Sequence, residues 1–288
     1  MNKMKFVKIT EIVLLCIFLL TFYSDGAVFG KMILAQELDL PPEVKAEAKI
    51  QSSTWKGFKE KTLVITFPEE REALSTFEGF GSVLAVVNYS LEPEGWKKVC
   101  AEKKKGKKSG GVYHLMDIKE RLAQEIGIPI DKIFILGTAA NMDYLAKVVK
   151  KYGNMTVIAL VTAGAKSNAL RAGYDNGSYI EDEEPQGTVN IILLTNKKLS
   201  SSAMARAIIT ITEAKTAAFE DLRVASSYSP KLQATGTGTD NIIIISGNEG
   251  QPLNYTGGHS KIGELIAKAV YEAVKKALIT SKGYNKIP

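Results

Sequence analysis

The chain has 288 residues, 45% of them hydrophobic, and a formal net charge of +6, enough apolar chain for one well-buried core and the class of a globular enzyme or binding protein. Its two cysteines and two histidines, Cys16, Cys100, His114 and His259, fall into no HExxH or paired CxxC spacing, which argues against zinc. Carboxylate-only calcium or magnesium sites stay open, although there is no EF-hand loop.

The first element is not part of the globule. Lys3, Lys5 and Lys8 precede an apolar run at residues 12–22, and small or polar residues follow at 24–27. That is the layout of a secretory signal peptide over residues 1–30, and the run is shorter than the roughly 20 apolar residues that span a bilayer. Cleavage near Ala27, Gly30 or Ala35 would release an exported protein, periplasmic or extracellular; a retained segment would tie it to the membrane. Removal of three lysines together with Glu11 and Asp25 leaves a mature charge of about +5. Leu15 before Cys16 speaks against lipidation, and without Cys16 the remaining Cys100 has no disulfide partner.

Residues 31–61, with Pro41-Pro42, read as a linker followed by one edge strand, and the regular domain occupies residues 62–282. Strands are expected at 63–67 and 83–88, a helix at 114–126, a strand at 132–136, a helix at 142–152 and a β-branched strand at 155–161. A further strand at 189–195 leads into an alanine-rich helix at 201–222, and a strand at 241–246 precedes a closing helix at 258–279 with one wide apolar stripe. The pattern is that of an α/β or α+β fold, a single layered domain with a mixed central sheet flanked by helices. Lys103, Lys104, Lys105, Lys107 and Lys108 carry no interleaved aromatic residue, so a solvated loop is preferred to a nucleic-acid patch.

Five clusters are candidates to carry chemistry. Thr162-Ala163-Gly164, Asn168 and Arg171-Ala172-Gly173 follow a strand end, where α/β sheets place ligand sites or make plain turns. Thr188 and Asn190, behind the acids 181–184, share one strand face and would either bond ligand amides or form ordinary cross-strand polar pairs on a half-exposed face. Glu213 and Lys215 lie two apart on a helix, so one is expected to point inward; an inward Glu213 would be a general base or substrate anchor. Thr235, Gly236, Thr237, Gly238, Thr239 and Asp240 alternate glycine with hydroxyl, which suits an oxyanion or a glycine hairpin, while the Gly-Lys-Ser/Thr of a P-loop is missing. Thr256, Gly257, Gly258 and His259 open the closing helix, placing His259 either as a neutral proton acceptor or as a cap. His114 reads as structural or exposed.

In this order, and with Thr138-Ala139-Ala140-Asn141-Met142 ahead of them and Gly263 behind, the clusters resemble the adenosylcobinamide amidohydrolase family from about residue 63 to 278. The resemblance implies hydrolysis of the amide joining a corrin propionate to aminopropanol, releasing adenosylcobyric acid for corrinoid salvage or remodelling. It implies no added cofactor, because the substrate carries its own cobalt. On that footing His259, or failing it Asp240 or Glu213, would activate water, with Lys215 and the NH groups of the 236–239 loop holding the oxyanion. Asn168, Arg171, Thr188, Asn190, Thr256 and Gly258 would place the substrate, and a threonine nucleophile at Thr235, Thr237 or Thr239 is the variant mechanism. Two departures stand out: the export signal, and Tyr174 in place of the family's Asp after Arg-Ala-Gly, with Asp175 one step later. The expected partner is a small-molecule corrinoid, with a corrinoid uptake system as a further partner and no nucleic acid. The alternatives are an extracytoplasmic corrinoid carrier that does no chemistry, and an amidase for an unrelated small molecule on the same fold.

Overall fold

The computed structural model describes residues 34–102, 110–176 and 187–281. The segment expected to be a signal peptide, the lysine run at 103–108 and the acids at 181–184 lie outside the described residues. In chain order the strands of the first half are β1 (Leu34–Glu37), β2 (Glu47–Trp55), β3 (Phe58–Ser75) and β4 (Gly79–Leu91), followed by helices α1 (Pro93–Glu102) and α2 (Gly110–Ile126). Then come β5 (Ile133–Thr138), β6 (Ala146–Tyr152), β7 (Met155–Ala163), β8 (Ala169–Leu170), β9 (Val189–Thr195) and β10 (Lys197–Leu199). Helix α3 (Ser201–Asp221), β11 (Gly236–Thr237), β12 (Asn241–Ile245), β13 (Glu249–Leu253) and helix α4 (Lys261–Thr280) complete the order.

Nine strands form one mixed sheet, β1-β2-β3-β12-β9-β7-β6, with β4 on β3 and β5 on β4. The long β3 makes this possible. Its register on β4 slips between Thr66 and Arg71, so its first half lies between β2 and β4 and its second half between β4 and β12. The slip bends the strand, as bulges do, and the sheet curls into two arms. Most pairs are antiparallel; β4 with β5 and β12 with β9 are parallel. This is the mixed, helix-flanked sheet expected from the sequence.

Alternation along the strands builds three cores. Ile158, Leu160, Ile192, Leu194, Ile243 and Ile245 face inward onto Leu63, Ile65, Phe134 and Leu136 from the other arm. Their neighbours Val157, Ala159, Val161, Ile191 and Leu193 face outward onto α3 and α4, while Val87, Tyr89, Ile133 and Ile135 face α1 and α2. Both faces of β7 and β9 are therefore buried, which is why these strands read as unbroken apolar runs. The small residues of α3, Ala203, Ala207, Ala214 and Ala218, let it approach α4 at Ala269, Ala273 and Ala277.

Three expectations need correction. Residues 142–152 are not a helix but a 3-10 turn at Met142–Tyr144 followed by β6, which pairs with β7 through a turn at Gly153 with φ of 54°. Residues 34–61 supply two strands and the start of a third rather than a linker with one edge strand. The closing helix begins at Lys261, because Ser260 takes the cap position and accepts the Gly263 N–H at 3.1 Å. No helix among the described residues is long and apolar enough to cross a membrane.

Candidate functional site

The C-terminal ends of β4, β5 and β7 and the N-terminal ends of β9 and β12 meet at one edge of the curled sheet. There the two arms are joined by amides. Asn190, fully buried on β9, donates to Asn88 Oδ1 at 2.9 Å and to the Gly137 carbonyl at 3.0 Å. Asn88 donates in turn to Thr162 Oγ1 at 3.0 Å. Thr188 donates to the Thr239 carbonyl and lies 3.5 Å from Asn190 Oδ1. Such a network is stable because each buried polar group finds a partner.

Above this floor sits an ion pair. Lys215 on α3 bonds Asp240 Oδ2, and both side chains are nearly buried, 11% and 13% exposed. Asp240 also accepts the Thr237 N–H on Oδ2 and the Val189 N–H on Oδ1, each at 3.0 Å, and the Thr237 hydroxyl on Oδ1. All four acceptor positions of the carboxylate are thus filled. Gly236 is required here: a Cβ would fall on Lys215 Nζ and Asp240 Oδ2. Lys215 points inward because it continues the buried stripe of Ile211, Ala214, Ala218 and Phe219, at the four-residue spacing that keeps side chains on one helix face.

The rim is formed by Asn168, Gly187, Gly238, Thr239 and Tyr228. Asn168 is buried; it donates to the Gly187 carbonyl and accepts the Tyr228 hydroxyl, both at 2.9 Å. Its own carbonyl accepts the Gly238 N–H at 3.1 Å, and a Cβ on Gly238 would press on its amide. Thr239 donates to the Gly187 carbonyl at 2.7 Å. Gly187 itself has φ of 101°, a conformation that favours glycine. Arg171 and Tyr174 are exposed beside this rim, while Asp175 closes their turn by accepting the Arg171 N–H at 2.6 Å and the Ser226 hydroxyl at 2.6 Å. Those bonds, the Arg171 N–H first, hold the Asp175 carboxyl below its usual range.

The structure therefore brings together Thr138–Asn141, Thr162–Gly164, Asn168, Thr188, Asn190, Lys215 and the 236–240 loop, and it changes several roles. Asn168, Thr188 and Asn190, expected to hold substrate amides, have their side chains engaged within the protein. The N–H groups of Thr237 and Gly238, expected to hold an oxyanion, bond Asp240 and Asn168. Glu213 is exposed on the outer face of α3, and Lys215 is the inward residue of the pair. His259 lies before the helix cap rather than in the first turn, exposed and 5.0 Å from the Tyr255 ring. Tyr255 stacks under Arg206, and Arg206 precedes Lys215 by nine residues, about 14 Å along α3 at 1.5 Å per residue. Thr256 bonds the Ala203 carbonyl and accepts at its own carbonyl from Thr210, tying the entry of α4 to α3. Gly258 is exposed with open space where a Cβ would stand. The 256–259 segment is thus a helix junction, apart from the Lys215–Asp240 pair.

Sequence reasoning missed Asn88, Tyr228 and a second polar cluster. Tyr89 donates to Glu60 at 2.8 Å and meets His114 Nε2 at 3.0 Å, within a set of rings that includes Trp55 and Trp96. Burial, and then the Glu60 charge, push the Tyr89 phenol far up. Trp96 reaches the Thr138 carbonyl at 2.8 Å, so this cluster braces the loop after β5. A cavity of about 440 Å³ lies at the β3 bend, lined by Pro42, Lys45, Phe67 and Pro68 and by none of the site residues above. Among the described residues no three His, Cys, Asp or Glu side chains gather at a point.

Comparison with known proteins gives the arrangement a family. A protein of Methanocaldococcus jannaschii named "Uncharacterized protein MJ1613" is 42% identical over 260 residues, 81% of this chain and 96% of the relative. An adenosylcobinamide amidohydrolase of Methanosarcina mazei is 30% identical over 165 residues, 54% of this chain and 70% of the relative. Another, of Halobacterium salinarum, is 26% identical over 163 residues, 56% and 65% of the two chains. The family model described as adenosylcobinamide amidohydrolase matches residues 42–286, and the chain belongs to that family.

Proposed function

We propose that this protein hydrolyses the amide between aminopropanol and the propionate side chain of adenosylcobinamide or a related corrinoid, releasing adenosylcobyric acid. The observation that carries the reading is the convergence of α3, the start of β9 and the 236–240 loop on the Lys215–Asp240 pair at one sheet edge. Amide hydrolysis needs a group to take a proton from the nucleophile, a charge to stabilise the tetrahedral oxyanion, and a proton for the leaving amine. Asp240 supplies the first. Lys215 has three N–H donors, of which one goes to Asp240, leaving donors for the oxyanion. The exposed rim of Arg171, Tyr174 and Tyr228 offers one cation and two aromatic faces to a large ligand that is apolar on its ring and amide-rich at its edge. No residue of the site needs an added cofactor for these steps. Export, read from the first thirty residues, would place the reaction outside the cytoplasm, on corrinoids met before uptake.

The test is incubation of the purified full chain with adenosylcobinamide, following aminopropanol by mass spectrometry. Release of aminopropanol with adenosylcobyric acid is expected. Binding without release would replace the hydrolase by a corrinoid carrier, and the absence of both binding and release would refute the corrinoid reading.

A further inference from the structure

We infer that Thr237 is the nucleophile of this reaction, attacking the amide carbonyl through Oγ1 to form an ester with the corrin propionate; the inference rests on the amidohydrolase reading above. The loop offers three threonine hydroxyls, and their partners separate them. Thr235 Oγ1 accepts the Ala172 N–H at 3.0 Å and lies 3.4 Å from the Leu170 carbonyl. Thr239 Oγ1 donates to the Gly187 carbonyl at 2.7 Å. Both are bound to backbone, which takes no proton. Thr237 Oγ1 donates to a carboxylate, Asp240 Oδ1.

A threonine hydroxyl is a weak nucleophile until an adjacent base removes its proton, and that base works best when a third group fixes its direction. Asp240 is fixed from the other side by Lys215 and by the Thr237 N–H, and behind by the Val189 N–H. Thr237 is held as well, because β11 pairs it with Ala169 on β8. The next residue, Gly238, is exposed, so Thr237, itself 8% exposed, lies directly beneath the solvent-facing rim. The arrangement therefore has nucleophile, base and orienting cation in one chain of contacts, with approach from the rim.

The steps balance. Thr237 Oγ1 bonds the carbonyl carbon as its proton passes to Asp240, and the tetrahedral oxyanion forms beside Lys215. The C–N bond then breaks, the nitrogen takes the proton from Asp240, and aminopropanol leaves. Water adds to the resulting ester while Asp240 takes one of its protons. The C–O bond to Thr237 breaks, the hydroxyl recovers that proton, and the corrinoid acid departs.

Two variants and the wild-type chain decide the matter. Thr237→Val should lose turnover on the order of 10³-fold or more, as loss of a nucleophile does, while keeping the wild-type circular dichroism spectrum at the assay temperature; its thermal midpoint should fall, because Asp240 Oδ1 loses a donor. Thr237→Ser should keep turnover, and acid-quenched wild-type or Thr237→Ser protein should carry a covalent adduct, mapped by peptide mass spectrometry to residue 237. Turnover by Thr237→Val within tenfold of wild type, or no adduct in either active protein, overturns the nucleophile while the hydrolase reading stands. A wild-type chain that releases no aminopropanol overturns both.

Discussion

Replacing Gly236 by alanine tests whether the missing side chain there keeps the space in which the Lys215–Asp240 ion pair closes. The backbone there is in an ordinary region, so alanine meets no conformational penalty, but its Cβ would overlap both Lys215 Nζ and Asp240 Oδ2 and stand 3.1 Å from Lys215 Cε. Two responses are open to the chain. If the loop shifts and the pair survives, the cost is that of overpacking, about 1–3 kcal/mol. If Lys215 swings away, Asp240 keeps three hydrogen bonds but loses its counter-charge, and the cost approaches the roughly 3–5 kcal/mol of a broken buried pair. Both side chains retain slight exposure, which lets water soften the loss, so about 2–4 kcal/mol is expected. For a domain of this size that lowers the melting temperature by roughly 5–15 °C. Thermal unfolding followed by circular dichroism measures it, with Gly258→Ala as the control, since nothing lies within 4 Å of a Cβ there. If Gly236→Ala and Gly258→Ala melt alike, the packing argument for the pair is wrong.

Other outcomes follow from the same geometry. Asn190→Ala should cost about 2–3 kcal/mol in urea unfolding, because Asn88 Oδ1 and the Gly137 carbonyl each lose a buried donor; a midpoint equal to wild type would deny that the amides join the two arms. His259→Ala and Glu213→Gln should leave aminopropanol release unchanged, as both side chains are exposed and apart from Asp240; a large loss in either would move the chemistry to another site. Glu43 is held down from 4.5 to about 2, first by its bond to Lys151 and next by Thr156. The unfolded chain thus binds that proton more readily, so the stabilisation is complete above pH 4.5 and is lost as pH falls toward 2. The gap in urea midpoint between wild type and Glu43→Gln should therefore be widest at pH 7, narrower at pH 3 and closed near pH 2; a gap independent of pH would contradict the pairing.

Fold and site were legible to different depths, for physical reasons. Strands β7 and β9 were plain in the sequence because burial on both faces leaves them no polar position. Strand β6 was misread because Met142, Leu145 and Val149 imitate helical spacing; the better signal was Gly153-Asn154, two turn residues between Tyr152 and Met155, which pair across the hairpin. The curl of the sheet was not legible at all, since it arises from a register slip in β3 that changes pairing and leaves composition untouched.

The same contrast governs the site. Lys215 stands four residues from both Ile211 and Phe219, so the apolar stripe of α3 already contained the answer to which of Glu213 and Lys215 turns inward. A charge on a buried stripe must meet an opposite charge nearby, and the candidates on the loops were few. What no local pattern could supply was the partner, because Asp240 reaches Lys215 only after β8 and β11 pair and Gly236 clears the space between them. His259 misled for the converse reason: its neighbours suggested a helix start rich in free N–H groups, yet Ser260 occupies the cap and shifts the histidine outside the helix. Residue chemistry thus nominated the donors and acceptors of the site, whereas their final roles depended on which of them the fold had already used for its own hydrogen bonds.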